Sequence, residues 1–103
     1  MYYVKLDSEY DELDKYKYYE DIFYCKKGTG IKHNPYGPAI INASGYKAYY
    51  IEDKRHRLDG PAKIYSNGNE NYYINGKYLS KEQFEIHPER LKYLGKEILT
   101  CLI

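Results

Sequence analysis

At 103 residues the chain is long enough for one domain with one modest core. Its 16 Lys and Arg nearly balance 15 Asp and Glu, so no overall charge draws it to nucleic acid, and direct nucleic-acid binding is not expected. No apolar run reaches membrane-spanning length and the opening MYYVKLDSEYDE is too acidic for a signal peptide, which makes a cytoplasmic protein the expectation.

MYYVKL opens the chain with aromatic and β-branched residues and reads as a short strand. The segment after it is ambiguous: Ser8 could cap a short helix marked by Tyr10, Leu13 and Lys17, against a strand pattern that follows closely. The alternation through KYKYYEDIFYCKK then fits a strand from about Tyr18 to Lys26, and KKGTG is a glycine-punctuated turn. Residues 1–21 hold seven acids and three lysines, a net of −4 that leaves +5 for the remainder. Asp11, Glu12 and Asp14 form a candidate acidic surface in this stretch, able to imitate a nucleic-acid backbone in a basic groove of a partner. The competing reading is a solvated face.

From residue 33 the sequence is one unit written twice. HNPYGPAIINASGYKAYYIEDK and HRLDGPAKIYSNGNENYYINGK align without a gap at an offset of 23, and ten of the 22 positions are identical. Each unit reads as strand, turn, strand, turn. Ala39 and Ile41, like Ala62 and Ile64, share a strand face, and this repeated pair is expected to face the core. Gly45 and Gly68 are expected in the left-handed conformation of tight turns. Tyr49 with Ile51, and Tyr72 with Ile74, fall on one face of the second strand. Tyr50 and Tyr73 project to the other, away from the expected core. Asn75-Gly76 is a strong two-residue hairpin signal, returning the chain through Lys77, Tyr78 and Leu79. KKGTG stands where the turn between units stands, so YYEDIFYCKK is read as the tail of a degenerate earlier unit.

The period then changes. Ser80 and Gln83 make a capping box, with Leu79 and Phe84 as a hydrophobic staple, so a helix is expected from Lys81. Pro88 breaks it and starts a second helix, on which Leu91, Leu94, Ile98 and Leu102 form a stripe suited to covering the open end of the stack. The expected fold class is mainly β (β+α): stacked antiparallel hairpin repeats with a C-terminal helical cap, about 35 to 50 percent strand. Residues 1–103 form a single domain: an N-terminal part at 1–32, repeats at 33–54 and 55–79, and the cap at 80–103.

The 23-residue period, the hairpins and the YYINGK stretch resemble the MORN repeat, in a variant with His-x-x-x-Gly-Pro-Ala as HNPYGPA and HRLDGPA. That variant is similar to repeats in small proteins of bacteriophages and large viruses. The resemblance covers roughly residues 23 to 79, and it implies a binding or scaffolding module without catalysis.

His33 and His56 recur once per unit, which argues for a structural imidazole bonded to turn backbone over a catalytic one. Cys25 and Cys101 have no paired spacing, and no nucleophile and base, metal cluster or cofactor motif stands out, so neither an enzyme nor a metal or cofactor is expected. The candidate binding surface is a tyrosine row: Tyr50 and Tyr73, joined by Tyr46 and Tyr65, with Arg55, Arg57 and Lys63 beside it. Such a row anchors a protein or stacks bases. The competing reading places Tyr50 and Tyr73 inside a two-sided core. The leading functional expectation is a phage- or mobile-element-encoded protein that blocks a host protein in the host cytoplasm, for example an anti-CRISPR-like inhibitor of bacterial defence. The alternatives are a module holding a nucleotide or other anionic ligand, and a MORN-like scaffold. Homodimerisation through an open edge or the helical stripe is also expected.

Overall fold

The computed structural model describes residues 3–102, with side chains as far as residue 95. The N-terminal third is a β-meander of β1 (Val4–Leu6), β2 (Leu13–Tyr18) and β3 (Asp21–Lys26). The short helix expected after Ser8 does not form. The Ser8 hydroxyl accepts from the Tyr10 amide at 3.1 Å and Leu13 N–H donates to the Tyr10 carbonyl, closing a turn. From Leu13 onward β2 pairs with β3, and Lys15, Tyr16 and Lys17 also pair with β1, which outweighs a stripe of three residues. The single strand expected from Tyr18 is likewise broken, because Tyr18 pairs with Asp21 across a tight turn in which Tyr19 takes φ of 54°.

The two units contribute β4 (Ile40–Ile41), β5 (Lys47–Ala48), β6 (Tyr50–Ile51), β7 (Lys54–Arg55), β8 (Lys63–Ile64), β9 (Glu70–Ile74) and β10 (Lys77–Leu79). Eight strands join one antiparallel sheet in the order β1-β2-β3-β4-β5-β8-β9-β10, and β6 with β7 forms a separate ribbon. Many strands are two residues long, so strands take roughly a third of the chain, below the expected share.

Hydrogen bonds recur with the sequence offset. The Ala39 and Ala62 amides donate to the Ala48 and Asn71 carbonyls, Asn34 and Arg57 to the Tyr50 and Tyr73 carbonyls, and Asp53 and Gly76 to the Lys32 and Arg55 carbonyls. Both histidines take part. Nδ1 of His33 accepts from the Glu52 amide and Nδ1 of His56 from the Asn75 amide, each at 2.9 Å. The imidazoles therefore hold the tips of the β6–β7 and β9–β10 hairpins, the structural role that their repetition implies. Burial lowers the pKa of both, more than any neighbouring charge does.

Gly45 and Gly68 take φ of 100° and 90°, as tight turns require. At the hairpin tips Asn75 and Gly76 adopt φ of 52° and 84°, while Glu52 and Asp53 adopt 48° and 68° without a glycine.

Ala39, Ala48 and Ala62 are fully buried, so strands approach closely there, whereas Ile41 and Ile64 are only half-buried. One core cluster joins Ala39, Ala48 and Tyr50, with Ile40 packed against it; the other joins Ile74, Leu79 and Phe84. Tyr50 thus belongs to a core and not to an outer face. Alternation places Ala48 and Tyr50 on one side and Tyr72 and Ile74 on the other, so buried side chains stand on both sides of the sheet.

Helix α1 (Lys81–Glu85) begins at a complete capping box: Ser80 Oγ accepts from Gln83 N at 3.1 Å and Gln83 Oε1 from Ser80 N at 3.0 Å. Leu79 and Phe84 are both buried, forming the expected staple. Burying the Phe84 ring contributes about 2 kcal/mol. Helix α2 (Pro88–Leu102) follows. Phe84 covers the end of the sheet, whereas Leu91 of the expected stripe is 52% exposed and Leu94 half-buried; the side chains of Ile98 and Leu102 lie outside the described residues. Among the described residues no helix is long and apolar enough to cross a membrane.

Candidate functional site

The register sets the face on which most of the tyrosine row stands. Ile40, Ala48, Lys63 and Asn71 lie opposite one another across β4, β5, β8 and β9. Tyr46 is two residues before Ala48, Tyr65 two after Lys63 and Tyr73 two after Asn71, so all three share that face. Tyr46 and Tyr65 meet at 5.4 Å between ring centroids, and Asn71 Nδ2 donates to the Tyr65 hydroxyl at 3.2 Å. Tyr73 packs against Tyr78 at 5.5 Å.

Two cations share the Tyr73 ring. The Arg55 guanidinium lies 5.2 Å from its centroid and Lys63 Nζ 5.9 Å. The Tyr50 hydroxyl beside Arg55 raises the guanidinium's pKa further. Burial raises the pKa of Tyr46, with the Lys63 ammonium opposing. Among the described residues neither Arg55 nor Lys63 forms an ion pair with a carboxylate, and Arg55 Nε is buried without a hydrogen-bond partner.

Two of the expected members stand apart. Tyr50 is 9% exposed and packs in the core cluster with Ala39 and Ala48. Arg57 is in the loop of the second unit, where its guanidinium carbon is 4.1 Å from the Tyr49 centroid. There Arg57 Nε donates to Asp59 at 2.9 Å and its terminal nitrogen to the Pro61 carbonyl at 3.2 Å. Asn34, its counterpart in the first unit, donates to the Pro38 carbonyl at 3.0 Å, so Arg57 occupies a bracing position within its loop.

The acidic surface divides as well. Asp14 is 7% exposed, accepts from the Gly28 amide at 2.8 Å and sits 3.5 Å from Lys5 Nζ. The Gly28 N–H lowers the carboxyl's pKa. Asp14 thus braces the KKGTG turn and is not part of an open acidic surface. Glu12 accepts from the Tyr36 hydroxyl and Glu9 from the Tyr24 hydroxyl, and these bonds lower both glutamate pKa values. Asp11 remains exposed.

A groove that the sequence reading missed opens on the side of Tyr49 and Ile51. It has a volume of about 600 Å³ between the loops at 34–38 and 56–59, with Tyr93 of α2 among its walls. Cys25 is buried, which raises its thiol pKa. Among the described residues no three His, Cys, Asp or Glu side chains gather as a metal site. No family model, curated protein or solved structure matches the chain.

Proposed function

We propose that the chain is a small non-enzymatic binding protein that docks on and blocks a protein partner. The observation that carries this reading is the sheet face bearing Tyr46, Tyr65, Tyr73, Arg55 and Lys63. Half-buried phenol rings beside cations without carboxylate partners match the aromatic and arginine composition of protein-binding hot spots. His33 and His56 are spent on backbone amides, which supports a role without acid–base chemistry for them. The likeness of HRLDGPA to repeats of small phage proteins makes a host protein the first partner to test. A bacterial defence component met in the host cytoplasm is the leading case, and an anti-CRISPR-like inhibitor is one example. Homodimerisation through the outer edge of β1 or β10, or through the helical stripe that begins at Leu91, belongs to this proposal, and light scattering showing a monomer at high micromolar concentration removes it.

A second reading is favoured by the buried, unpartnered Arg55 Nε beside Lys63, an arrangement suited to an anionic ligand such as a nucleotide. A pull-down from bacterial lysate, run beside native mass spectrometry of the purified protein, separates the two. A stoichiometric protein partner supports docking; a co-purifying small anion supports the ligand module. Neither species would leave a MORN-like scaffold as the reading to pursue.

A further inference from the structure

We propose that the groove over Tyr49 is a seat for one aromatic side chain of a protein partner, an inference that rests on the docking reading above. Tyr24 and Tyr49 occupy matching places in the backbone. Their amides donate to the Ala39 and Ala62 carbonyls, and their carbonyls accept from the His33 and His56 amides. Tyr72 is the counterpart of Tyr49 one repeat later. At both outer positions the chain covers the tyrosine with another aromatic ring. Tyr10 meets Tyr24 at 6.0 Å and stacks on Tyr36 at 4.6 Å, while Phe84 meets Tyr72 at 4.6 Å.

The middle position differs. There a cation stands over the ring, the Arg57 guanidinium at 4.1 Å from the Tyr49 centroid, and the groove of about 600 Å³ lies beside them, on the scale of small-ligand sites. Its chemistry selects the occupant. Arg57 is already held by Asp59 and the Pro61 carbonyl, so it offers its flat face and not an unmatched charge. Pro35, Tyr36, Pro38 and Leu58 add apolar and π surface. An aromatic side chain answers that lining with ring stacking and a cation–π contact, as the protein's own rings do at the flanking positions.

The test is an NMR titration of the isotope-labelled protein with N-acetyltyrosinamide and N-acetyltryptophanamide. Saturable shifts are expected at Tyr49, the Arg57 Nε–H and Asp59. Gly37→Leu should weaken binding at least tenfold, because Gly37 lines the groove and a Cβ there has room, with Asn34 Nδ2 at 4.0 Å. If Gly37→Leu does not fold, Asp59→Tyr closes the same groove with the residue that the first unit carries at this position, Tyr36. The Lys63→Glu, Tyr73→Ala double variant, altered on the opposite face, should bind both probes as the wild type does. Absence of saturable shifts, shifts centred on Tyr65 and Tyr73, or unchanged binding by a folded groove variant would overturn the proposal. A partner captured in the pull-down while the probes fail to bind refutes the seat alone; probe binding without a captured partner leaves an aromatic-binding groove and refutes its assignment to a protein partner together with the docking reading.

Discussion

The two full units make the same hydrogen bonds with different turn chemistry. In the second unit the hairpin tip is Asn75-Gly76, the pair best suited to two consecutive positive φ values, while the first unit forces Glu52-Asp53 into the same conformation. Glu52 also pairs with Lys26 at 2.6 Å, an exposed bridge that offsets little of the strain. The fold at the first tip is therefore imposed by its surroundings: His33 Nδ1 holds the Glu52 amide and the Lys32 carbonyl holds the Asp53 amide. The same frame carries different side chains in the two units: Lys63, Tyr65 and Asp59 of the second stand where the first has Ile40, Asn42 and Tyr36.

The largest test of this comparison is Phe84→Ala. The second unit has no third unit beyond it and depends on α1 for cover, so the substitution should cost about 3 kcal/mol. In urea unfolding this appears as a lower midpoint, with the loss centred on Ile74 and Leu79 in hydrogen exchange. A cost below about 1 kcal/mol would mean that the end of the sheet is not closed by this ring. Next come Gly45→Val and Gly68→Val. Both place a β-branched residue at positive φ and should cost about 2 to 3 kcal/mol each in thermal or urea unfolding. Open space around the Gly68 Cβ position leaves backbone conformation as the cause there.

His56→Ala should cost about 1 kcal/mol by orphaning the Asn75 amide. The pH dependence has a definite sign. With folded pKa values below the ordinary histidine value, the unfolded chain binds protons first. The stabilisation by His33 and His56 is therefore complete above the unfolded value and lost as pH falls through the folded ones. Urea midpoints measured from pH 7 downward should fall less steeply in His56→Ala than in the wild type; an equal slope would remove the assigned role. The smallest effect has the opposite direction. Asp53→Gly should stabilise by about 0.5 to 1 kcal/mol, because it relieves positive φ and keeps the amide bond to Lys32, while Gly76→Asp should destabilise by a similar amount.

The turns, the capping box, the staple and the histidine roles were legible because each depends on residue types at short fixed spacing. The N-terminal meander was not, since a three-residue stripe carries less information than the ladder partners that β2 finds on both sides. Burial of Tyr50 was also hidden, as alternation tells which residues share a face but not which face a loop will cover. The same register argument did bring Tyr46, Tyr65, Tyr73, Arg55 and Lys63 together. It could not place Arg57, which lies beyond the strand in a loop whose path is set by the Pro61 carbonyl. The groove over Tyr49 arises between loops a full repeat apart. Its one sequence signal was the divergence of residues 34–36 from 57–59 inside an otherwise repeated frame.

The most direct measurement of the docking account is partner capture by the Lys63→Glu, Tyr73→Ala double variant against the wild type, with thermal unfolding recorded for both. The account predicts that capture falls at least tenfold while the unfolding midpoint moves by only a few degrees, because Lys63 and Tyr73 are half-buried on an open face and lie outside both core clusters. Capture at the wild-type level by the folded double variant would contradict it.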